Sequence, residues 1–135
     1  MPRRLEFLVA ALRPALAWSR PLTAMGVLGL VLGAVCLAAA GLQGAEVAPE
    51  GNLVKTGTFN GSLGLFGLTL VVLAAGVTWS LRGGRRWAGL LAGASLYAYA
   101  VETVQAFRGL DPRFSQVAGP ADQLIGGVFF WDALL

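Results

Sequence analysis

Residues 21–42 read PLTAMGVLGLVLGAVCLAAAGL, a stretch of 22 residues without a charged side chain. A helix needs about 20 apolar residues to cross the hydrocarbon core of a bilayer. Pro21 suits the first turn of such a helix, where its missing backbone N–H costs no hydrogen bond. The stretch therefore predicts a transmembrane helix over 21–42.

Further apolar stretches follow, separated by polar or glycine-rich residues. The next one predicts a helix over 58–81, with Thr58 or Asn60 as its N-cap. Arginines and glycines at 82–86 then predict a turn, and the stretch after it predicts a third helix over 87–107. These segments complete a set of three helices of membrane-spanning length.

The last apolar stretch, over 121–135, follows a loop in which Asp111-Pro112 marks a turn. Its 15 residues rise about 22 Å as a helix, whereas the hydrocarbon core is about 30 Å thick. We interpret it as an incomplete fourth helix of a chain that continues. Packing inside a larger assembly, and a re-entrant or surface-lying end, are the alternatives.

Residues 1–20 differ from the rest of the chain. Leucines and a valine recur there at helical spacing while the arginines follow another face, which predicts an amphipathic helix at the membrane surface, anchored by Trp18. A secretory signal peptide is the alternative, but Arg13 interrupts its apolar region. Residues 21–135 then form the transmembrane bundle.

The overall composition agrees with a membrane protein. Hydrophobic residues make up 56% of the chain and charged residues 13%, whereas about 25% of a soluble domain is charged. So few charges cannot give a compact soluble fold a polar surface. The predicted fold class is an all-α integral membrane helix bundle with three full transmembrane helices, a short or incomplete fourth, and an N-terminal amphipathic surface helix.

The distribution of charge predicts the orientation. Residues 1–20 and 82–86 each carry a net charge of +3, residues 43–61 carry −1, and residues 108–122 are neutral. Positively charged segments remain on the cytoplasmic side of a membrane. We therefore predict a multi-pass protein with a cytoplasmic N-terminus and with the connections after the first and third helices outside.

The residue counts exclude several kinds of chemistry. The chain has no histidine, which excludes histidine-ligated haem or zinc and a Ser-His nucleophile pair. The single cysteine, Cys36, cannot form an internal disulfide, and we interpret it as a buried spectator. The basic residues fall at three places rather than in one patch, so nucleic acid is not a predicted partner. No metal site is predicted, and the cofactor is unknown.

Small residues recur at intervals of three and four along the predicted helices, and this pattern lets helices approach closely in lipid. The predicted helix-packing residues are Gly26, Gly29, Gly33, Gly57, Gly61, Gly89 and Gly93. Such faces serve either packing within this bundle or docking of another subunit, and the pattern leaves both open.

Polar residues form one stripe on the third helix, consisting of Ser95, Tyr99, Glu102 and Gln105. A carboxylate inside a membrane helix costs about 2.5–3.5 kcal/mol, so Glu102 needs a partner or a function. Arg108 or Arg113 could reach back to it and form a salt bridge that ties the outer loop to the bundle. A proton or cation relay and a polar ligand site are the other interpretations.

Asp132 would lie near the middle of the membrane if the last segment enters from outside. With Glu102 it could line a cation path, or it could be protonated and simply hydrogen-bonded. A segment lying in the interface would give it no special role. The candidate ligand- or ion-binding residues are Tyr99, Glu102, Gln105, Arg108 and Asp132.

Two classes of function follow. The first is a small non-catalytic integral membrane subunit or structural component of a larger membrane assembly, with the bilayer and other subunits or further copies of the chain as partners. The second is a small transporter, channel or ligand-binding unit that uses Glu102. No catalytic motif is present, although a lipid-modifying enzyme could work with acids and arginines alone.

Overall fold

The computed structural model describes residues 19–74 and 81–132, which are mostly helical. The helices are α1 (Arg20–Gln43), α2 (Leu53–Ala74), α3 (Leu81–Phe107) and α4 (Pro120–Asp132). A short antiparallel hairpin of β1 (Glu46–Val47) and β2 (Gly51–Asn52) joins α1 to α2. The amphipathic helix predicted for the N-terminus lies outside the described residues, apart from its last two positions.

Helix α2 begins at Leu53, five residues before the predicted start. The reason is the N-cap residue of this helix, Asn52. Its side-chain oxygen accepts the Lys55 backbone N–H at 2.9 Å and so satisfies an N–H that the first turn leaves free. Thr58 and Asn60, the predicted caps, instead lie inside the helix. The predicted end of this helix falls beyond Ala74, outside the described residues.

Helix α3 begins at Leu81, so the segment 82–86 belongs to its first turns and does not form the predicted turn. Arginine is a good helix former, and a glycine within a helix costs only about 1 kcal/mol relative to alanine. The arginines therefore extend α3 to 27 residues. The boundaries of α1 and α4 lie within one residue of prediction where they are described.

Helices α1 and α2 pack with their backbones in close contact. A Cβ placed on Gly64 would lie 2.7 Å from the Gly26 carbonyl oxygen, and one on Gly33 would lie 2.9 Å from the Gly57 carbonyl oxygen. Such distances leave no room for any side chain at these positions. The glycines on the facing surfaces are what allows the two helices to approach this closely.

Helix α3 lies against this pair through small residues and one tyrosine. Ala88 and Ala92 are buried in a cluster with Leu22, Met25 and Val71. Tyr99 is buried over Gly29, and its hydroxyl donates a hydrogen bond to the Met25 sulfur at 3.2 Å. One buried apolar cluster of the described structure therefore lies where α1, α2 and α3 meet, and a second, around Phe129, lies between α3 and α4.

The predicted packing glycines do not all lie at this core. Gly26, Gly29, Gly33 and Gly57 are at the close α1–α2 contact, together with Gly64, which continues the same spacing on α2. A Cβ on Gly61, Gly89 or Gly93 would have no described neighbouring atom within 4 Å. Ala88 and Ala92, one residue before Gly89 and Gly93, face the core instead, so the glycine pair of α3 points outward.

The hairpin and the 108–119 loop meet at one end of the bundle, which we call the cap. Gly109 ends α3 with a positive φ of 77°, a conformation that glycine adopts without strain. Its carbonyl accepts the Glu50 backbone N–H at 2.8 Å. The cap is thus joined through the backbone as well as through side chains.

Two of the described helices, α1 and α2, are long and apolar enough to cross a membrane. Many of their large apolar side chains are exposed, and Leu65, Val72 and Leu73 are each at least 60% accessible. The apolar residues of these helices thus face outward as well as toward the core.

Candidate functional site

The most unusual group in the described structure is the carboxylate of Glu102 on α3. Its side chain is fully buried, and both of its oxygens accept hydrogen bonds from Nη2 of Arg113, at 3.2 and 3.1 Å. The hydroxyl of Thr56 on α2 donates a long hydrogen bond to the same carboxylate, at 3.4 Å. The negative charge is therefore paired inside the bundle, by an arginine that comes from the cap.

The loop and two aromatic rings hold Arg113 in place. Oδ1 of Asp111 accepts the backbone N–H groups of Arg113 and Phe114, at 2.9 and 3.0 Å, which is the turn that Asp111-Pro112 predicts. The guanidinium carbon lies 5.3 Å from the centre of the Phe59 ring and 5.7 Å from that of Phe129. Both distances fall in the range of cation–π attraction. Arg113 thereby links α2, α3 and α4.

A second polar contact between α2 and α3 lies beside this pair. Asn60 is completely buried, and its amide donates a hydrogen bond to the Thr103 hydroxyl at 2.9 Å. Sequence reasoning missed Thr56 and Asn60 as partners of α3. Their spacing of four in an otherwise apolar helix, which places both on one face, is the signal that could have found them.

The predicted polar stripe of α3 is divided among several partners. Gln105 donates to Oδ1 of Asp122 at 3.0 Å, and Arg108 binds both oxygens of Asp122 at 2.6 and 3.1 Å. Arg108 therefore pairs with α4, while Arg113 is the partner of Glu102. Tyr99 lies deeper, against Met25, so the structure does not gather the candidate residues into one pocket.

The remaining candidate, Asp132, is the last residue of α4. Its side chain lies outside the described part of the structure, so the proposed cation path through it stays a prediction. Residues 19–74 and 81–132 contain no group of three or more acidic, cysteine or histidine side chains that could hold a metal ion.

Further polar contacts hold the cap together. Lys55 Nζ lies 2.6 Å from Oδ2 of Asp111. Glu50 accepts hydrogen bonds from the Ser115 hydroxyl and, at 2.9 Å, from the Gln116 backbone N–H. These contacts join the hairpin and the start of α2 to a loop more than 50 residues further along the chain.

These contacts change the pKa values of the carboxylates in and next to the cap, namely Glu50, Asp111 and Asp122. The Ser115 hydroxyl, followed by the Gln116 N–H, holds the pKa of Glu50 below its ordinary value of 4.5. The Arg108 guanidinium, followed by the Gln105 amide, lowers the pKa of Asp122 from 3.8. For Asp111, burial raises the pKa, but Lys55 and two backbone N–H groups outweigh it and the pKa is lowered.

Acidification is therefore expected to loosen the cap. A carboxylate whose pKa is lower in the folded state stabilises the fold above its unfolded pKa, and this contribution disappears as the pH falls through the folded value. A spin label at Val117, in a Cys36→Ala background, should become more mobile as the pH falls below about 4. A label at Leu65, far from the cap, should change less.

Two variants make this test specific. Asp122→Asn should make the spin label at Val117 more mobile already at neutral pH, because it removes the charge that Arg108 binds. Glu46→Gln, at an exposed hairpin position, should leave the pH response unchanged. Equal label mobility at pH 7 and pH 3 would contradict the expectation.

A small cavity of about 140 Å³ lies between the 108–119 loop and α4, lined by residues that include Asp111, Arg113, Ser115 and Asp122. The Arg113 Nε atom is buried and has no hydrogen-bond partner. Both aspartates already bind a cationic side chain. Chemically, the described site consists of three ion pairs, each of one acid and one base, and of Glu50, which is held by hydrogen bonds alone.

No protein-family model, no curated protein and no solved structure matches this chain.

Proposed function

We propose that the chain is a small integral membrane protein with a structural role, a non-catalytic component of a larger membrane assembly. Membrane placement is supported by α1 and α2, whose most apolar 18-residue windows are each only 28% buried. Apolar helices of this length that belong to a soluble core would be mostly covered by protein. A hydrocarbon environment satisfies their exposed valine, leucine and phenylalanine side chains.

Helix α3 is the proposed third span. Its 27 residues rise about 40 Å, enough to cross a hydrocarbon core of about 30 Å. Its arginines are confined to the first turns, and its one acidic residue is neutralised by Arg113. The 13 described residues of helix α4 rise about 20 Å, compared with about 30 Å for the core.

The proposed orientation places the arginine end of the bundle in the cytoplasm and the cap outside. The N-termini of α1 and α3 lie together, since Leu22 and Ala88 share one buried cluster. Arg20, Arg82, Arg85 and Arg86 all belong to this end, and positive segments remain cytoplasmic.

The observation that carries the structural role is the neutralised state of Glu102. A relay residue needs an open path and a proton or ion to exchange, whereas this carboxylate is fully buried and bound at both oxygens by Arg113. The arginine is in turn placed between two phenylalanines. Such an arrangement fixes the relative positions of α2, α3, α4 and the loop.

A small transporter or ligand-binding unit remains the second candidate. One observation favours it, namely the cavity of about 140 Å³ that reaches Arg113 from the cap side. A cationic solute entering there would compete with Arg113 for the Glu102 carboxylate. In that case Glu102→Gln would abolish binding of the solute without lowering stability.

Labelling of single cysteines in intact cells tests membrane placement and orientation. In a Cys36→Ala background, Glu46→Cys should react with an impermeant maleimide, and Arg85→Cys should react only after permeabilisation. Both positions are exposed in the described structure, so protection would come from the membrane. The reverse pattern would overturn the orientation, and release of the chain by alkaline carbonate would overturn membrane placement.

Purification in a mild detergent tests the role in an assembly. A component of an assembly should purify with other polypeptides or further copies in a fixed ratio, and the ratio should survive a second column. A monodisperse single chain from cells that express it at its natural level would contradict this role.

A further inference from the structure

An open apolar groove of about 660 Å³ runs along the surface of α1. The described residues that line it are Arg20, Thr23, Ala24, Val27, Leu28 and Val31. Their spacing of three and one places them on a single face of the helix. The face has an arginine at one end and becomes apolar along its length.

The length of the groove matches one leaflet of a bilayer. Arg20 and Val31 are eleven residues apart, which corresponds to about 16 Å along a helix. Half of a hydrocarbon core about 30 Å thick is about 15 Å. If Arg20 lies at the headgroup level, as its position at the start of α1 indicates, then Val31 lies near the middle of the membrane.

The charge at this end of the bundle is uniformly positive among the described residues. Arg20 is exposed and belongs to none of the ion pairs found within residues 19–74 and 81–132. The carboxylates of those ion pairs, on Glu102, Asp111 and Asp122, all lie at or near the cap. Among the described residues, an anionic group at the mouth of the groove would therefore meet arginine without a competing ion-paired carboxylate.

We propose that the groove binds an anionic phospholipid, with the phosphate on Arg20 and one acyl chain along Val27, Leu28 and Val31. Guanidinium groups bind phosphate through paired hydrogen bonds, and an acyl chain that lies along the groove gains van der Waals contacts with its side chains. The inference rests on the membrane placement proposed above. It adds a lipid of defined charge at a defined face of the bundle.

Native mass spectrometry of the full chain in detergent tests the proposal. The probes are phosphatidylglycerol and phosphatidylcholine with identical acyl chains. One arginine near a membrane surface contributes about 1 kcal/mol of attraction to anionic lipid, so phosphatidylglycerol should bind about fivefold more tightly. Arg20→Gln should abolish this preference, and Ala24→Trp, which fills the groove, should weaken binding of both lipids.

Two matched variants separate the groove from general attraction. Arg86→Gln removes the same charge at the same end but outside the groove, and Val35→Trp adds the same bulk on α1 beyond it. Both should bind phosphatidylglycerol as the parent chain does. Thermal unfolding of all four variants checks that each is folded before its lipid binding is compared.

The proposal fails if both lipids bind equally, or if Arg86→Gln lowers the preference as much as Arg20→Gln. Alkaline carbonate extraction separates this failure from failure of the proposed function. A chain that remains in the membrane but shows no lipid preference overturns only the lipid site. A chain that carbonate releases overturns membrane placement itself.

Discussion

Glu102→Gln is expected to lower the free energy of unfolding by roughly 3 kcal/mol, near the lower end of the range for breaking a buried ion pair from one side. The variant keeps the shape of the side chain but leaves Arg113 with an uncompensated charge between two aromatic rings. The arginine side chain is 27% exposed, so water recovers part of the loss. Unfolding in detergent, by heat or by a denaturant series, measures the effect.

A second substitution identifies the partner. Arg113→Gln combined with Glu102→Gln should restore part of the lost stability, because it removes the unpaired charge. Arg108→Gln should give no such rescue, since Arg108 binds Asp122. If Glu102→Gln instead folds with undiminished stability and only the binding of a solute is lost, the structural role is wrong and the transporter alternative is supported.

Gly64→Ala should lower the free energy of unfolding almost as much as Glu102→Gln, although it adds only one methyl group. Its Cβ would lie 2.7 Å from the Gly26 carbonyl oxygen and 2.8 Å from the Leu30 nitrogen. These are backbone atoms, so the helices must move apart, at a cost of about 1–3 kcal/mol. Gly33→Ala should behave similarly, because its Cβ would meet the backbone of Gly57 and Gly61.

Gly61→Ala and Gly89→Ala are the matched controls. A Cβ at either position has no described atom within 4 Å, and alanine favours a helix over glycine by about 1 kcal/mol. These variants should therefore be as stable as the parent chain or more stable. If all four alanine variants unfold at the same temperature, close backbone contact between α1 and α2 does not stabilise the bundle.

The long apolar helices were predictable because a charge-free stretch has few alternatives to a helix of that length. The bounds of α1 follow from the sequence to within one residue at each end. The start of α2 could not be predicted in the same way, because it is set by the hydrogen bond from the Lys55 N–H to the Asn52 side chain, which the apolar pattern does not show. The turn predicted at 82–86 was wrong for a similar reason, since a change in composition toward arginine and glycine does not require a change in backbone conformation.

The candidate site was predictable only in part. Burial of Glu102 and its need for a partner follow from the cost of a charge in an apolar segment. Which of Arg108 and Arg113 pairs with Glu102 could not be predicted from the sequence. The answer depends on the path of the loop, which Asp111 and Gly109 set. The facing side of the site, with Thr56 and Phe59, required knowing how α2 is rotated toward α3.

The eleven residues between Glu102 and Arg113 have a consequence for the synthesis of the chain. Ribosomes add about 5–20 residues per second, so the arginine leaves the ribosome about one second after the carboxylate that it neutralises. The described α1–α2 contact, by contrast, uses residues that all precede α3 in the chain, so they are made before it. On the proposed placement, the glycine-packed pair of helices α1 and α2 is thus in the bilayer first. Thr56 and Asn60 then form the polar surface that contacts α3 when it is inserted.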